Sequence, residues 1–492
     1  MSVEREKRAG LVLDEPLIFE LSRPGARGVD LEENEVADVP EGMRRESLEG
    51  FPELSEPEVL RHFLRLSQWN LGAATTFYPL GSCTMKYNPV ADEVVARLPG
   101  FARLHPLVPE ELAQGLLECL AELERWLAEI AGLDAVTLEP AAGAHGELTG
   151  MKMIRAYHAE RGRPRSKVLI PATAHGTNPA SAALSGYSVV EVPVGKEGIL
   201  EASRVAEVMD DEVAALMVTN PNTLGLFERE ICEVSEIVHE RGGLVYMDGA
   251  NLNALLGVAK PGDMGVDVLQ FNLHKTFSTP HGGGGPGAGP VAVRRLLEPY
   301  LPVPRLVRAD GRWNWSEDFP RSIGRVRSFY GNVGVLVRAY AYLAAMGSEG
   351  LREATRLAIL AANYVRKRLE GVFHTPYPRP CMHECVLTDR GFERYGVKTL
   401  DIAKRLLDHG FYAPTIYFPQ VVSGAMMIEP TETESKRTLD EFVEAMRAIA
   451  EEAKTAPERL RNAPERTPLA RLDEARAARK PVLRWRPERG VG

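Results

Sequence analysis

Nothing in this 492-residue chain approaches the run of about 18 apolar residues that would cross a bilayer. The opening residues, MSVEREKRAG, are charged and lack the apolar stretch of a secretory signal, so the expected address is the cytoplasm. Cysteine is scarce. Cys83, Cys119, Cys232, Cys381 and Cys385 make an odd set of five, which argues against a disulfide framework. Cys381 and Cys385 flank His383 in CMHEC, but no second Cys or His pair at zinc spacing follows, and no metal is expected. Excess positive charge is missing too. The formal net charge is -9, which excludes a general nucleic-acid binder working by phosphate neutralisation. At 44% hydrophobic and 26% charged residues, the composition is that of an ordinary soluble globular protein with room for two or three domains. Small molecules and proteins are the expected partners.

The pattern along the chain divides it into four parts. Residues 1–100 mix Pro, Gly, Glu and Arg around one amphipathic piece, EPEVLRHFLRLSQ, and read as an arm with helical segments. Residues 101–335 read as a large α/β domain. It opens with a long amphipathic helix, in which Leu112, Leu116, Leu120, Leu123 and Leu127 recur at three- and four-residue spacing. Short runs rich in Val, Leu and Ile follow: AVTLEP, KVLIPA, SVVEVPV, AALMVTN, GLVYMDGA and DVLQFN. Joined by helices and without strict alternation, they predict a mostly parallel sheet covered on both faces. Two helical stretches and a smaller α+β pattern fill residues 336–455. The Arg- and Pro-rich segment 456–492 is either a solvated tail or an arm that wraps a partner subunit.

Three loops at strand ends carry the chemistry, because an open α/β sheet binds its ligand there. In EPAAGAHGELTG the small residues Gly143 and Ala144 leave helix-start amides open to a phosphate, and His145 is either a ring packed on a flat ligand or a helix cap. In VYMDGAN, Asp248 ends a buried strand, with Ala250 beside it as a further cofactor contact. Lys275 lies 27 residues after Asp248, with one strand between. An acid that keeps a pyridinium nitrogen protonated, followed by a lysine on the next strand-loop, is what pyridoxal 5'-phosphate requires. Lys275 is therefore the expected covalent anchor, and His274 beside it a contact for the phosphate. Thr177 in TAHGTNPAS is either a helix cap or a hydroxyl facing substrate.

Rival readings of FNLHKTFSTPHGGGGPGAGP fail on their own requirements. Gly282, Gly284 and Gly287 satisfy G-x-G-x-x-G, but Pro286 interrupts them and PVAVRR resumes as a strand where a dinucleotide site needs a helix. A phosphate loop needs glycine directly before its lysine, and His274 stands there. HGGGG without any G-x-S-x-G nucleophile elbow does not make an esterase.

HKTFSTPHGGGGPG resembles the lysine loop of fold-type I pyridoxal-phosphate enzymes, and VTNPNTLG their asparagine loop, which makes Asn222 a candidate contact to the cofactor's phenolic oxygen. TTFYPLGSCTMKYNP and FYAPTIYFPQVVSGAMMIEPTETE are similar to signature segments of the glycine cleavage system P-protein family, the glycine decarboxylases. The chain is about half the length of the family's single-chain form and carries the lysine, so it resembles subunit 2 of the two-subunit form. The resemblance implies decarboxylation of glycine, with transfer of the aminomethyl group to the lipoyl group of the H-protein. Lys275, His145 and Asp248 are the implied catalytic residues, with His145 stacked on the cofactor ring. It further implies a partner, P-protein subunit 1, with two of each subunit assembled. Loop 75–89 is a candidate lining for the lipoyl path, although Ser82, Cys83, Thr84 and Lys86 in it also suit an ordinary turn. Another fold-type I enzyme, an aminotransferase or aldolase, is the alternative.

Overall fold

A computed structural model describes residues 15–30, 39–45, 47–48, 50–283, 287–328 and 330–485. Two compact units are present, one of residues up to Gly72 together with those from Asn462 on, the other spanning Ala73–Arg461. In the first unit the helix Glu56–Ser67 starts at Ser55, whose backbone amide donates to Glu58 Oε2 at 3.0 Å, and the Ser55 hydroxyl also donates to that carboxylate. One turn on, His62 Nδ1 meets Glu15 Oε1 at 2.8 Å, a buried contact that fixes the segment before the helix.

The second unit is built on a seven-stranded sheet in the order β1-β7-β6-β5-β4-β2-β3. Its strands are β1 Ala135–Thr137, β2 Lys167–Pro171, β3 Ser188–Val192, β4 Val213–Thr219, β5 Leu244–Gly249, β6 Val268–Phe271 and β7 Val291–Val293. All neighbours pair in parallel except at β7, which runs antiparallel to both β1 and β6. Alternation splits each strand between two cores. In β5, Val245 and Met247 pack with Leu116, Leu120 and Leu123 of the helix Glu110–Ala131, whereas Leu244 and Tyr246 pack with Met151 and Ile154 of the helix Gly143–Glu160. A sheet buried on both faces needs apolar residues at every strand position, which is why these runs lack polar alternation.

The long helix holds Leu116, Leu120, Leu123 and Leu127 in the core as its spacing predicts, but Leu112 is 68% exposed. Leu112 falls in the first turn, and Ala113 and Leu117 take the inward positions there. The two helical stretches after residue 332 run as Val333–Leu369, broken at Gly347, whose φ of 58° lies outside the helical region. A hairpin, β8 Arg305–Ala309 with β9 Arg312–Ser316, precedes them. An antiparallel sheet of β10 Cys385–Thr388, β11 Thr415–Ile416 and β12 Ala425–Ile428, in the order β10-β12-β11, follows and packs on the helix Lys436–Thr455. Cys381 and Cys385 are buried in that apolar cluster, and all five cysteines are free.

Candidate active site

The carboxyl ends of the parallel strands open into a cavity of about 230 Å³. Lys275 reaches it from the short helical turn Leu273–Thr276 that follows β6, and Asp248 from the end of the neighbouring strand β5. The parallel register sets Asp248 opposite Gln270, so the two loops emerge side by side. Asp248 is 3% exposed and firmly held. Its Oδ1 accepts the Ala250 amide at 2.9 Å and a short bond from Gln270 Nε2, and its Oδ2 accepts Asn178 Nδ2 at 3.0 Å. Gln270 is steered in turn by the Tyr246 hydroxyl at 2.7 Å.

Ala142, Gly143 and Ala144 form the opposite wall, at the start of the 18-residue helix Gly143–Glu160, where no side chain caps the first turn. Gly143, Gly146 and Gly150 let this helix lie directly on the sheet. A Cβ on Gly143 would stand 2.4 Å from Asn272 Nδ2, and one on Gly150 2.4 Å from the Tyr246 ring. Open amides and a positive dipole end make such a start an anion site.

His274 lines the cavity as a neutral ring. Burial first, then the neighbouring His281 and Lys275, push it down to about 3. Its Nδ1 accepts the Ala288 amide at 3.3 Å, and Gly287 is what allows the ring to lie so close to that strand. His274 is thus a neutral hydrogen-bonding group in the cavity wall.

Two residues singled out in the sequence do not line the cavity. His145 turns back on its own loop, where its Nδ1 accepts the Ala141 amide at 3.1 Å, so the ring serves the helix start. Asn222 is fully buried with its amide spent on structure: Nδ2 donates to the Gly198 carbonyl at 2.8 Å and Glu228 at 2.7 Å, while Oδ1 accepts the Leu224 and Leu226 amides. Its neighbour Thr223 lines the cavity instead.

A strand-end lysine, a buried acid one strand away and a helix-start cradle together define a chemistry that known proteins share. A family model described as glycine cleavage system P-protein matches residues 26–309, and one described as glycine dehydrogenase, C-terminal domain, matches residues 354–470. The chain belongs to the glycine cleavage system P-protein family. A probable glycine dehydrogenase (decarboxylating) subunit 2 of Caldanaerobacter subterraneus subsp. tengcongensis is 54% identical over 95% of this chain and 98% of its own. Its counterpart of the same name in Shouchella clausii is also 54% identical, over 96% of this chain and 98% of its own. Among solved structures, an inhibitor-bound glycine decarboxylase (P-protein) superposes with a TM-score of 0.71 at 23% identity, covering 84% of this chain and 93% of that one. A cysteine desulfurase from Thermococcus onnurineus gives 0.61 at 16% identity, covering 76% of this chain and 95% of that one. The architecture is the fold-type I pyridoxal-phosphate fold, a mostly parallel sheet between helices with a smaller α+β part after it.

The P-protein chain brings to its cavity several residues that the motifs did not mark. His175 arrives on the loop after β2, beside the already noted Thr177, Glu147 comes from the start of the helix Gly143–Glu160, and Asn251 from the loop after β5. A signal existed for His175, which shares TAHGTNPAS with Thr177. Glu147 is 3% exposed and accepts the Thr177 hydroxyl at 2.8 Å and the Ser181 hydroxyl at 3.0 Å. Burial, reinforced by the adjacent Asp248 charge, lifts it to about 7. A carboxyl raised on folding stabilises the protein fully below its unfolded value, and that contribution is lost as pH rises through the folded value. Against a Glu147→Gln variant, the wild-type P-protein chain is therefore expected to lose about 3 kcal/mol of stability between pH 4.5 and pH 8, read from denaturant midpoints. Parallel pH curves for the two proteins would refute this.

Loop 75–89 presents Ser82 to the cavity. Ser82 and Thr84 both adopt left-handed backbone, with φ of 58° and 44°. Two buried carboxyls hold that strained turn: the Ser82 amide donates to Glu384 Oε2 at 2.7 Å and the Thr84 amide to Glu429 Oε2 at 3.0 Å. Burial raises both acids, helped at Glu384 by the Glu429 charge and at Glu429 by the Glu432 charge, and it lifts Glu429 to about 7. Beyond the turn, Lys86 is buried, paired with Glu432 at 2.5 Å and donating to the Thr276 carbonyl at 2.9 Å.

Proposed function

We propose that this chain is the lysine-bearing subunit of a two-subunit glycine dehydrogenase (decarboxylating). It removes carbon dioxide from glycine and passes the aminomethyl group to the lipoyl group of the H-protein, working in the cytoplasm with subunit 1, two copies of each. Family membership and the relatives' name, subunit 2, support the reading. The observation that carries it is the meeting of Lys275 and Asp248 in one strand-end cavity. Neither an aminotransferase nor an aldolase is among the close relatives described above.

The cavity suits pyridoxal 5'-phosphate. Thr219 Oγ1 and Asn251 Oδ1 are buried there without a partner, and the Gly143 cradle has no room for a methyl group. When bound, this cofactor supplies an electron sink for the pair left behind as a bond at the substrate Cα breaks. Lys275 would hold its carbonyl carbon covalently, the Ala142–Ala144 amides would hold its phosphate, and Asp248 would keep the proton on its ring nitrogen. His175 takes the ring-packing place assigned to His145 from the sequence. Among the described residues no helix is long and apolar enough to cross a membrane.

A second cavity, of about 350 Å³, shares His175 with the first and is walled by Ile170, Pro171, Ala174, Val189 and Phe418, with Glu191 and Gln420 adding polar surface. The mainly apolar walls leading to His175 suit an aliphatic lipoyl arm, and Ser82 of loop 75–89 lines the Lys275 cavity that His175 shares. Gly143→Ala would press a methyl against Asn272 and is expected to weaken cofactor binding about tenfold, read by titrating cofactor-free protein and following absorbance. Unchanged affinity would remove the cradle from the phosphate site. The function itself is tested by exchange of labelled bicarbonate into glycine. Exchange that needs subunit 1 and lipoylated H-protein supports it; amino transfer to a keto acid, with no exchange, overturns it.

A further inference from the structure

We propose that His175, held by Thr177 and Glu147 with its Nε2–H turned into the Lys275 cavity, is the donor that receives the carboxylate of the amino-acid substrate. This rests on the reading of the site as a decarboxylating one. The hydrogen bonds decide the tautomer. The Thr177 amide donates to His175 Nδ1 at 3.2 Å, so Nδ1 carries no proton. The Thr177 hydroxyl, 2.9 Å from the same nitrogen, gives its single proton to Glu147 Oε1 at 2.8 Å and so adds no donor to Nδ1, and Ser181 holds the other oxygen of Glu147 at 3.0 Å. A neutral imidazole with Nδ1 accepting must carry its proton on Nε2. Though the residue is exposed at the cavity mouth, partial loss of water around the ring lowers its titration and outweighs the pull of Asp248.

Position and chemistry then agree. His175 stands where the two cavities meet, its ring edge-on to Phe418 at 5.7 Å. No arginine lines the Lys275 cavity among the described residues. That suits a reaction in which the carboxylate loses its charge, because an ion pair to guanidinium would stabilise the starting state more than the transition state. A neutral N–H orients the carboxylate and weakly opposes its departure. Glu147 and Thr177 are positioning residues for this ring.

The test uses cofactor-loaded protein with labelled histidine. Long-range proton–nitrogen spectra are expected to show His175 as the Nε2–H tautomer in wild type and also in Thr177→Val, which keeps the backbone amide that donates to Nδ1. Glycine affinity, followed through the cofactor's absorbance, gives an independent reading. A glutamine amide reaches about where Nε2 lies and an asparagine amide about where Nδ1 lies. His175→Gln should therefore bind glycine at least about tenfold more tightly than His175→Asn. An Nδ1–H signal for His175, or equal affinities in the two variants, overturns the inference while leaving the cofactor reading intact. Wild-type protein with no lysine-bound absorbance at all overturns both.

Discussion

Replacing Lys275 with alanine is expected to abolish the near-visible absorbance of cofactor-loaded protein and to lower turnover at least about a thousandfold. Lys275 is the only lysine lining the strand-end cavity among the described residues. The other lysine close in space, Lys86, is unable to substitute, because its ammonium is buried against Glu432 and the Thr276 carbonyl. Its pairing with Glu432 pushes its titration up despite the burial, so it stays charged, and a charged amine does not attack a carbonyl. Retained absorbance in Lys275→Ala would mean that the covalent anchor lies elsewhere.

Asp248→Asn is expected to lower turnover by about 10² to 10³ while cofactor content stays near normal. The carboxylate sits in a ready-made set of donors: the Ala250 amide, Gln270 and Asn178. An asparagine there turns one NH₂ toward another NH₂, and it also removes the negative charge that holds a proton on the cofactor's ring nitrogen. The spectrum of the bound cofactor should shift with the change in ring protonation. A variant with full activity and an unshifted spectrum would place the ring nitrogen away from Asp248.

Some of this was legible in the chain before any coordinates. The strands of the large sheet stand out because burial on both faces demands unbroken apolar runs, and a strand's end names the loop that follows it. Lys275, Asp248 and the AAGAHG loop are all found that way. Which side chain of a loop turns inward is another matter. His145 and Glu147 lie two residues apart at one helix start, and the helical turn points Glu147 at Asp248 while His145 folds back on Ala141. Asn222 and Thr223 are adjacent, yet opposite faces of their turn carry structure and site. Glu384 and Glu429 were invisible as partners of Ser82 and Thr84, because about 300 residues separate donor from acceptor.

That separation bears on when the site comes into being. The Thr276 carbonyl beside Lys275 is tied to Lys86, and Lys86 is paired with Glu432, a residue made well after Lys275. The turn at Ser82 likewise waits for Glu384, and the one at Thr84 for Glu429. A ribosome-bound chain can complete its seven strands and still lack the last charge that settles the Lys275 turn. A chain ended before residue 425 is therefore expected to fold its large sheet yet hold no covalent cofactor, checked by mass of the borohydride-treated protein.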